Sequence, residues 1–226
     1  MTFSPSGGDW KGRLADLFGS RRNFIVIAHR ARSDGKIFLN DLCGASGRWD
    51  GIARCITGAL FLSHDMRRDT SFHALLLGPE DPPKLLTVSG SAVKYLNPDE
   101  RASSALMKKC LGEPLEKEMG AWIEPSPGIT ITRIDLEGIM DVLGSSIVVL
   151  DEKGRDMEAL LEDLPGSWSG PGPIFLLSDD QDPTEDERAL IDGTAAGMFS
   201  VGPRVLHSYQ TIIIIHSLLD RGGEQW

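Results

Sequence analysis

The chain has 226 residues, 41% of them apolar and 25% charged, the proportions of a globular protein long enough for a sizeable core. No uninterrupted apolar run approaches the roughly 18 residues of a membrane span, and the N-terminus lacks the basic-then-apolar pattern of an export signal. The net charge of −10 argues against a polyanionic partner when taken whole. Yet residues 1–110 carry 16 Lys+Arg against 11 Asp+Glu, while residues 111–226 carry 7 against 22, an asymmetry that permits a basic face on an acidic protein.

Trp10, Leu14, Leu17 and Phe18 recur at helical spacing between a capping Asp9 and Gly19, which predicts a short docking helix. Asn23 to Ala28 reads as an apolar strand, Arg30 to Gly35 as a basic loop and turn, and Phe38 to Leu42 as a short apolar piece. A glycine-rich stretch, Gly44 to Asp50, leads into a helix from Ile52 to Ser63. Phe72 to Leu77 and Leu85 to Ser89 flank a proline turn and read as a hairpin. Asn97 and Pro98 predict a helix cap and first turn, with the helix running to Leu111 and Lys108 and Lys109 suiting its end.

Glu113 to Glu124 is charged and carries no pattern. Thr130 to Ile134 predicts a strand, Leu136 to Leu143 a helix, and Ile147 to Leu150 a buried strand. Gly166 to Pro173 is a loop into a further strand, Ile174 to Leu177, and Met198 to Val201 is a second short apolar run. In the last segment four consecutive isoleucines favour a strand by propensity, but Pro203 near the start and Arg221-Gly222 at the end favour a helix, which is the preferred reading. The alternation predicts an α/β fold, a parallel sheet flanked by helices. Cys43, Cys55 and Cys110 form no CxxC pair and no zinc spacing with the five histidines, so reduced thiols, no metal site and a cytoplasmic location are expected. Phosphate-loop, nucleophile-elbow and HExxH motifs are missing, and His207 and His216 read as helix-packing residues.

Two stretches offer chemistry. Arg48, Asp50, His64, Asp65, Arg67, Arg68 and Asp69 combine planar forks suited to phosphates with groups able to accept a proton. By themselves they read more plainly as surface ion pairs and a helix cap. Near the C-terminus, two apolar runs break into Ser178-Asp179-Asp180 and Gly202-Pro203, turns that can hold a small ligand or serve as ordinary connections.

The wording of these stretches resembles one family. Phe61 to Asp69 reads FLSHDMRRD, Gly44 to Asp50 fits G-x-x-GR-x-D, and PDER and SPGI recur at Pro98 and Ser126. The C-terminal PxFxLSD, S-x-GP-x-x-LH and H-x-x-LD complete a pattern similar to the archaeal tRNA pseudouridine N1-methyltransferases, TrmY, of the SPOUT superfamily, over roughly residues 22–220. The resemblance implies one SPOUT domain at 21–226 behind an N-terminal extension at 1–20, a homodimer, and a C-terminal trefoil knot holding S-adenosylmethionine. It also implies methylation of N1 of pseudouridine in the T-loop of tRNA. This base is joined to ribose through carbon, so its N1 carries a removable proton.

Carried onto this chain, the resemblance puts the cofactor against Leu150, Leu177, Ser178, Asp179, Ser200, Val201, Gly202, Leu206 and Thr211. Arg48, Arg67 and Arg68 are the expected substrate contacts. Asp65 is the first candidate for proton acceptance, with Asp50, His64 and Asp69 behind it. Trp49 replaces the motif's leucine, Asp180 the histidine of SDH, and Thr211 the cysteine of LHANHC. These departures keep two alternatives open: an enzyme acting on a free C-nucleoside or related small heterocycle, and a non-catalytic RNA-binding dimer.

Overall fold

The computed structural model describes residues 9–163 and 172–223. Its strands are β1 (Arg22–Arg32), β2 (Thr70–Gly78), β3 (Lys84–Ser89), β4 (Trp122–Ser126), β5 (Ile129–Thr132), β6 (Ile147–Asp156), β7 (Ile174–Ser178) and β8 (Gly197–Ser200). Its helices are α1 (Trp10–Leu17), α2 (Trp49–Leu60), α3 (Glu100–Leu111), α4 (Leu136–Leu143), α5 (Met157–Asp163), α6 (Glu185–Thr194) and α7 (Ser208–Gly223). The strands form one sheet in the order β4-β5-β3-β2-β1-β7-β6-β8. From β2 through β1, β7 and β6 to β8 every pairing is parallel. The expected parallel sheet is therefore one half of the observed one; β3, β5 and β4 extend it as an antiparallel wing.

Both faces of the sheet are covered because β1 is apolar at every position from Phe24 to Ala28. Successive side chains point to opposite faces. Phe24, Val26 and Ala28 pack with Trp49, Ile56 and Ile215 on one side, while Ile25 and Ile27 pack with Leu14, Ile139 and Ile191 on the other. Helix α7 lies along α2 on the first side. Helix α1 docks on α4 on the second, its start capped by Asp9 as the sequence predicts.

Four local readings need correction. The α3 cap is Asp99, whose side chain accepts from the Ala102 N–H, while Asn97 instead accepts from the Asp99 N–H in a turn just outside. Trp122–Ser126 is an edge strand that no sequence pattern announced; three of its five residues are Glu, Pro and Ser, and it pairs only with β5. Phe38 to Leu42 forms turns, and β6 runs past Leu150 to Asp156 through a register irregularity. Residues 166–171 of the expected loop before β7 lie outside the described residues.

Two histidines are buried as neutral rings. His73 stacks on Phe18 at 3.8 Å and hydrogen-bonds Thr87 through Nδ1; burial pushes its pKa down to about 3. Burial, then Arg67 and Arg22, push His216 down to about 3 as well. The unfolded chain therefore takes up protons here before the native one does, so this stability is full above the ordinary histidine pKa and is lost as pH falls below it. Between about pH 6.5 and pH 5.5, urea unfolding should show falling stability, and His73→Gln should remove about 1 kcal/mol per pH unit of that fall.

Candidate active site

Toward one edge of the sheet, the β6 residues just beyond its ladder with β7 and the turns leaving β7 and β8 line an open cavity. All nine positions expected to face a cofactor line it: Leu150 just past the β6–β7 ladder, Leu177, Ser178 and Asp179 at the β7 exit, Ser200, Val201 and Gly202 at the β8 exit, Leu206 ahead of α7 and Thr211 in its first turn. Gly202 adopts φ +144°, which side chains disfavour, and its N–H and carbonyl both bond the Ser200 hydroxyl, at 3.1 and 2.8 Å. The Ser208 hydroxyl donates to the Ser178 carbonyl, tying the start of α7 to the β7 exit. Asp151, Glu152, Asp182, Arg188 and Arg204 supply charge of both signs at the wall, with Arg188 donating to Asp151 at 3.3 Å. Such a lining accommodates a ligand with an apolar planar part, hydroxyls and charges of both signs.

A second cavity adjoins the first, and Asp179, Asp182, Val205, Leu206 and Ser208 line both. Arg48 reaches it from the turn before α2. Gly47 at φ +69° fixes that turn, since a Cβ there would sit 1.8 Å from the Arg30 carbonyl oxygen. Arg48 is itself left-handed at φ 67°, a conformation costing about 1 kcal/mol outside glycine. Its guanidinium donates to Asp50 at 3.1 Å and to Asp180 at 3.0 Å, and Asp180 also accepts from Arg30 at 3.2 Å. Arg54 donates to Glu100 at 2.8 Å and lies 5.7 Å over the Tyr209 ring, which stacks on His207. The hydrogen bonds to Asp50 and to Glu100 hold the pKa values of Arg48 and Arg54 above the usual arginine range. Trp49, in the place of the motif's leucine, is fully buried and its indole N–H donates to the Arg32 carbonyl.

Sequence reasoning missed Arg30, Arg54, Tyr209, Asp182 and His29. Arg54 carried a signal, since it stands four residues after Asp50 on α2 and the two pair at 3.6 Å. His29 carried none, because its partners Asp179 and Glu187 are 150 and 158 residues away. His207 is exposed beside the second cavity rather than packed in a helix.

The Phe61–Asp69 loop lies elsewhere. It precedes β2, whose first residue Thr70 pairs with Arg22 at the start of β1, whereas the cavities adjoin His29 seven residues along that strand. At 3.3 Å per residue this is about 23 Å. Within one chain, His64, Asp65, Arg67, Arg68 and Asp69 therefore do not meet the two cavities. Asp65 accepts from the Met66 N–H in a tight turn, and His64 is exposed. Arg68 donates to the Gly90 carbonyl, and Asp69 pairs with Arg22. Arg67 and Arg22 both donate to Asp220 at 2.6 Å, fastening the far end of α7. Burial would raise the Asp220 pKa, but Arg67 and Arg22 outweigh it and hold it below the usual range. Arg67→Ala should cost about 1–3 kcal/mol in urea unfolding while leaving the residues that line the two cavities unmoved in a crystal structure of the variant.

A family model described as a putative SAM-dependent RNA methyltransferase matches residues 21–223. A protein of Methanocorpusculum labreanum named tRNA (pseudouridine(54)-N(1))-methyltransferase is 43% identical over 206 residues, covering 89% of this chain and 98% of that protein. Its namesake in Methanosarcina mazei is 38% identical over 201 residues, covering 88% and 91%. Among solved structures, Archaeoglobus fulgidus Nep1 bound to S-adenosylhomocysteine shares the fold, with a TM-score of 0.59 at 14% identity over 89% of this chain and 98% of that one. The cavity at the strand ends thus sits in a chain that belongs to the family of putative SAM-dependent RNA methyltransferases.

Proposed function

We propose that the protein transfers a methyl group from S-adenosylmethionine to N1 of pseudouridine at position 54 of tRNA. The observation that carries this reading is the wall common to the two cavities: a space lined by β6 and by the turns leaving β7 and β8 opens beside an arginine-bearing pocket. The names of relatives similar over nearly their whole length support the same substrate. The departures at Asp180 and Thr211 weigh less than that similarity, so the free C-nucleoside and the non-catalytic dimer become outcomes of the test.

The lining fits the cofactor. Leu150, Leu177, Val201 and Leu206 offer apolar flanks for an adenine, the carboxylates of Asp151 and Glu152 suit hydroxyls and an ammonium, and Arg188 and Arg204 suit a carboxylate. When bound, S-adenosylmethionine supplies an electrophilic methyl on a sulfonium sulfur. This chain's residues supply alignment and proton acceptance. Arg48, Arg30 and Arg54 orient the phosphates and base edge of the nucleotide. Asp182 replaces Asp65 as the first candidate for taking the N1 proton. It lines both cavities, and among the described residues it makes no ion pair or hydrogen bond. On bound cofactor, methyl transfer to N1 would be balanced by loss of the N1 proton, which the Asp182 carboxylate is placed to accept.

The same proposal includes a cytoplasmic homodimer, a single domain over residues 21–226 with α1 as an appendage, and a knotted C-terminal passage. In a dimer the Phe61–Asp69 loop could serve only a partner's cavity, given its distance from its own.

Labelled methyl transfer to tRNA carrying pseudouridine at position 54, to the same tRNA carrying uridine there, and to free pseudouridine tests the reading. Incorporation into the first alone is expected. Transfer to the free nucleoside alone, or no detectable cofactor binding, would overturn it. Asp182→Asn should lower kcat by about 10²–10⁴-fold with S-adenosylhomocysteine binding retained. Asp180→Asn should free Arg30 and Arg48 and lower the KM for tRNA by about threefold, with a steeper salt dependence of binding.

A further inference from the structure

His29 stands where β1 meets the wall between the two cavities. Its Nδ1 lies 3.0 Å from Asp179 Oδ1, and its Nε2 lies 3.1 Å from Glu187 Oε2. Its backbone N–H donates to Asp179 Oδ2 at 2.7 Å. Asp179 opens the segment 179–184 and accepts the Gln181 N–H at 3.0 Å. Glu187 closes it, accepting the Thr184 N–H at 2.8 Å and the Thr184 hydroxyl at 3.0 Å in a capping box. Asp179 and Asp182, both within this segment, face both cavities.

A neutral imidazole has one N–H and one lone pair. With a carboxylate oxygen at each nitrogen, only the imidazolium donates to both; the neutral ring sets a lone pair against a carboxylate. Neighbouring cations do not substitute for it. Arg30, next on β1, pairs with Asp180, and Arg188, next on α6, pairs with Asp151. Among the described residues His29 is the one cation paired with Asp179 or Glu187. The ring is 11% exposed and the two carboxylates 9% and 16%, so solvent screens the contacts little.

We propose that His29 is a positioning residue whose imidazolium clamps segment 179–184 from both ends and so holds the wall between methyl donor and acceptor. The proposal deepens the methyltransferase reading and rests on it for what the wall separates. The hydrogen bond to Asp179, working against burial and aided by Glu187, raises the His29 pKa above its ordinary value. The bonded form keeps its proton to higher pH than the unfolded chain does. The clamp is therefore complete below the ordinary histidine pKa and is lost as pH rises through the raised one.

The full chain should be followed between about pH 6 and pH 9 by three readouts: the His29 imidazole nitrogens by NMR, amide-exchange protection at Gln181 and Thr184, and S-adenosylhomocysteine affinity by calorimetry. Protection and affinity should fall together, affinity by at least about fivefold, over the range in which His29 loses its proton. His29→Gln should flatten the pH dependence, and Glu187→Gln, which keeps the cap acceptor, should move it to lower pH. In turnover the cofactor KM should follow the titration more than kcat does. His29 titrating at an ordinary histidine value, or titrating while protection stays flat, overturns the clamp. Protection and the NMR titration need no ligand or tRNA, so a failure of the substrate assignment leaves them readable. Methyl transfer with pH-independent protection overturns the clamp alone.

Discussion

Four parallel strands that stop at one edge are the constraint on which the rest of the molecule depends. Toward that edge the β1–β7 ladder ends at Ser178 and the β6–β7 ladder at Val149, and the β6–β8 pairing resumes at Arg155 only after an irregularity. Beyond it, the exit turns bond to one another, as in the Ser200–Gly202 turn and the Ser208 contact to Ser178, or face the cavity. Helix α7 is fixed at both ends, by Ser208 at the cavity and by Asp220 between Arg22 and Arg67 at the opposite edge. The twelve steps from Ser208 to Asp220 rise about 18 Å, most of the roughly 23 Å of β1 between the two sites.

This polarity divides the family-like segments into two kinds. The C-terminal turns and the Gly47-Arg48 turn converge on the cavities, while the Phe61–Asp69 loop braces the far edge through Arg22, Gly90 and Asp220. Charge in the second cavity is held in a chain of pairs, Arg30 with Asp180, Asp180 with Arg48, and Arg48 with Asp50. The arginines are thereby pre-oriented, and a phosphate has to compete with Asp180 for them. The replacement of the family's histidine by Asp180 thus has a physical consequence at the site itself.

The parallel strands were legible through their apolar runs, as were the α4 limits and the turns after Leu177 and Ser200 that line the first cavity. The sequence did not show β4, whose Glu-Pro-Ser composition has no strand pattern. It also did not show which end of the sheet a motif would occupy. Asp65 and Asp50 are equally chemical as letters, but Asp65 precedes the first residue of β2 and Asp50 opens α2 next to the end of β1. His29 and Asp182 were invisible because their importance comes from contacts or cavities made by residues far away in the chain.

A crystal structure with S-adenosylhomocysteine and a pseudouridine-containing T-arm hairpin tests the central claim most directly. The cofactor's sulfur should lie among Leu177, Ser178 and Gly202, with N1 of the flipped base across the Asp179–Asp182 wall at a distance a methyl bridges, and Asp182 within hydrogen-bond reach of N1. A cofactor seated away from these turns, or a base bound at the opposite edge of the same chain, would contradict that claim.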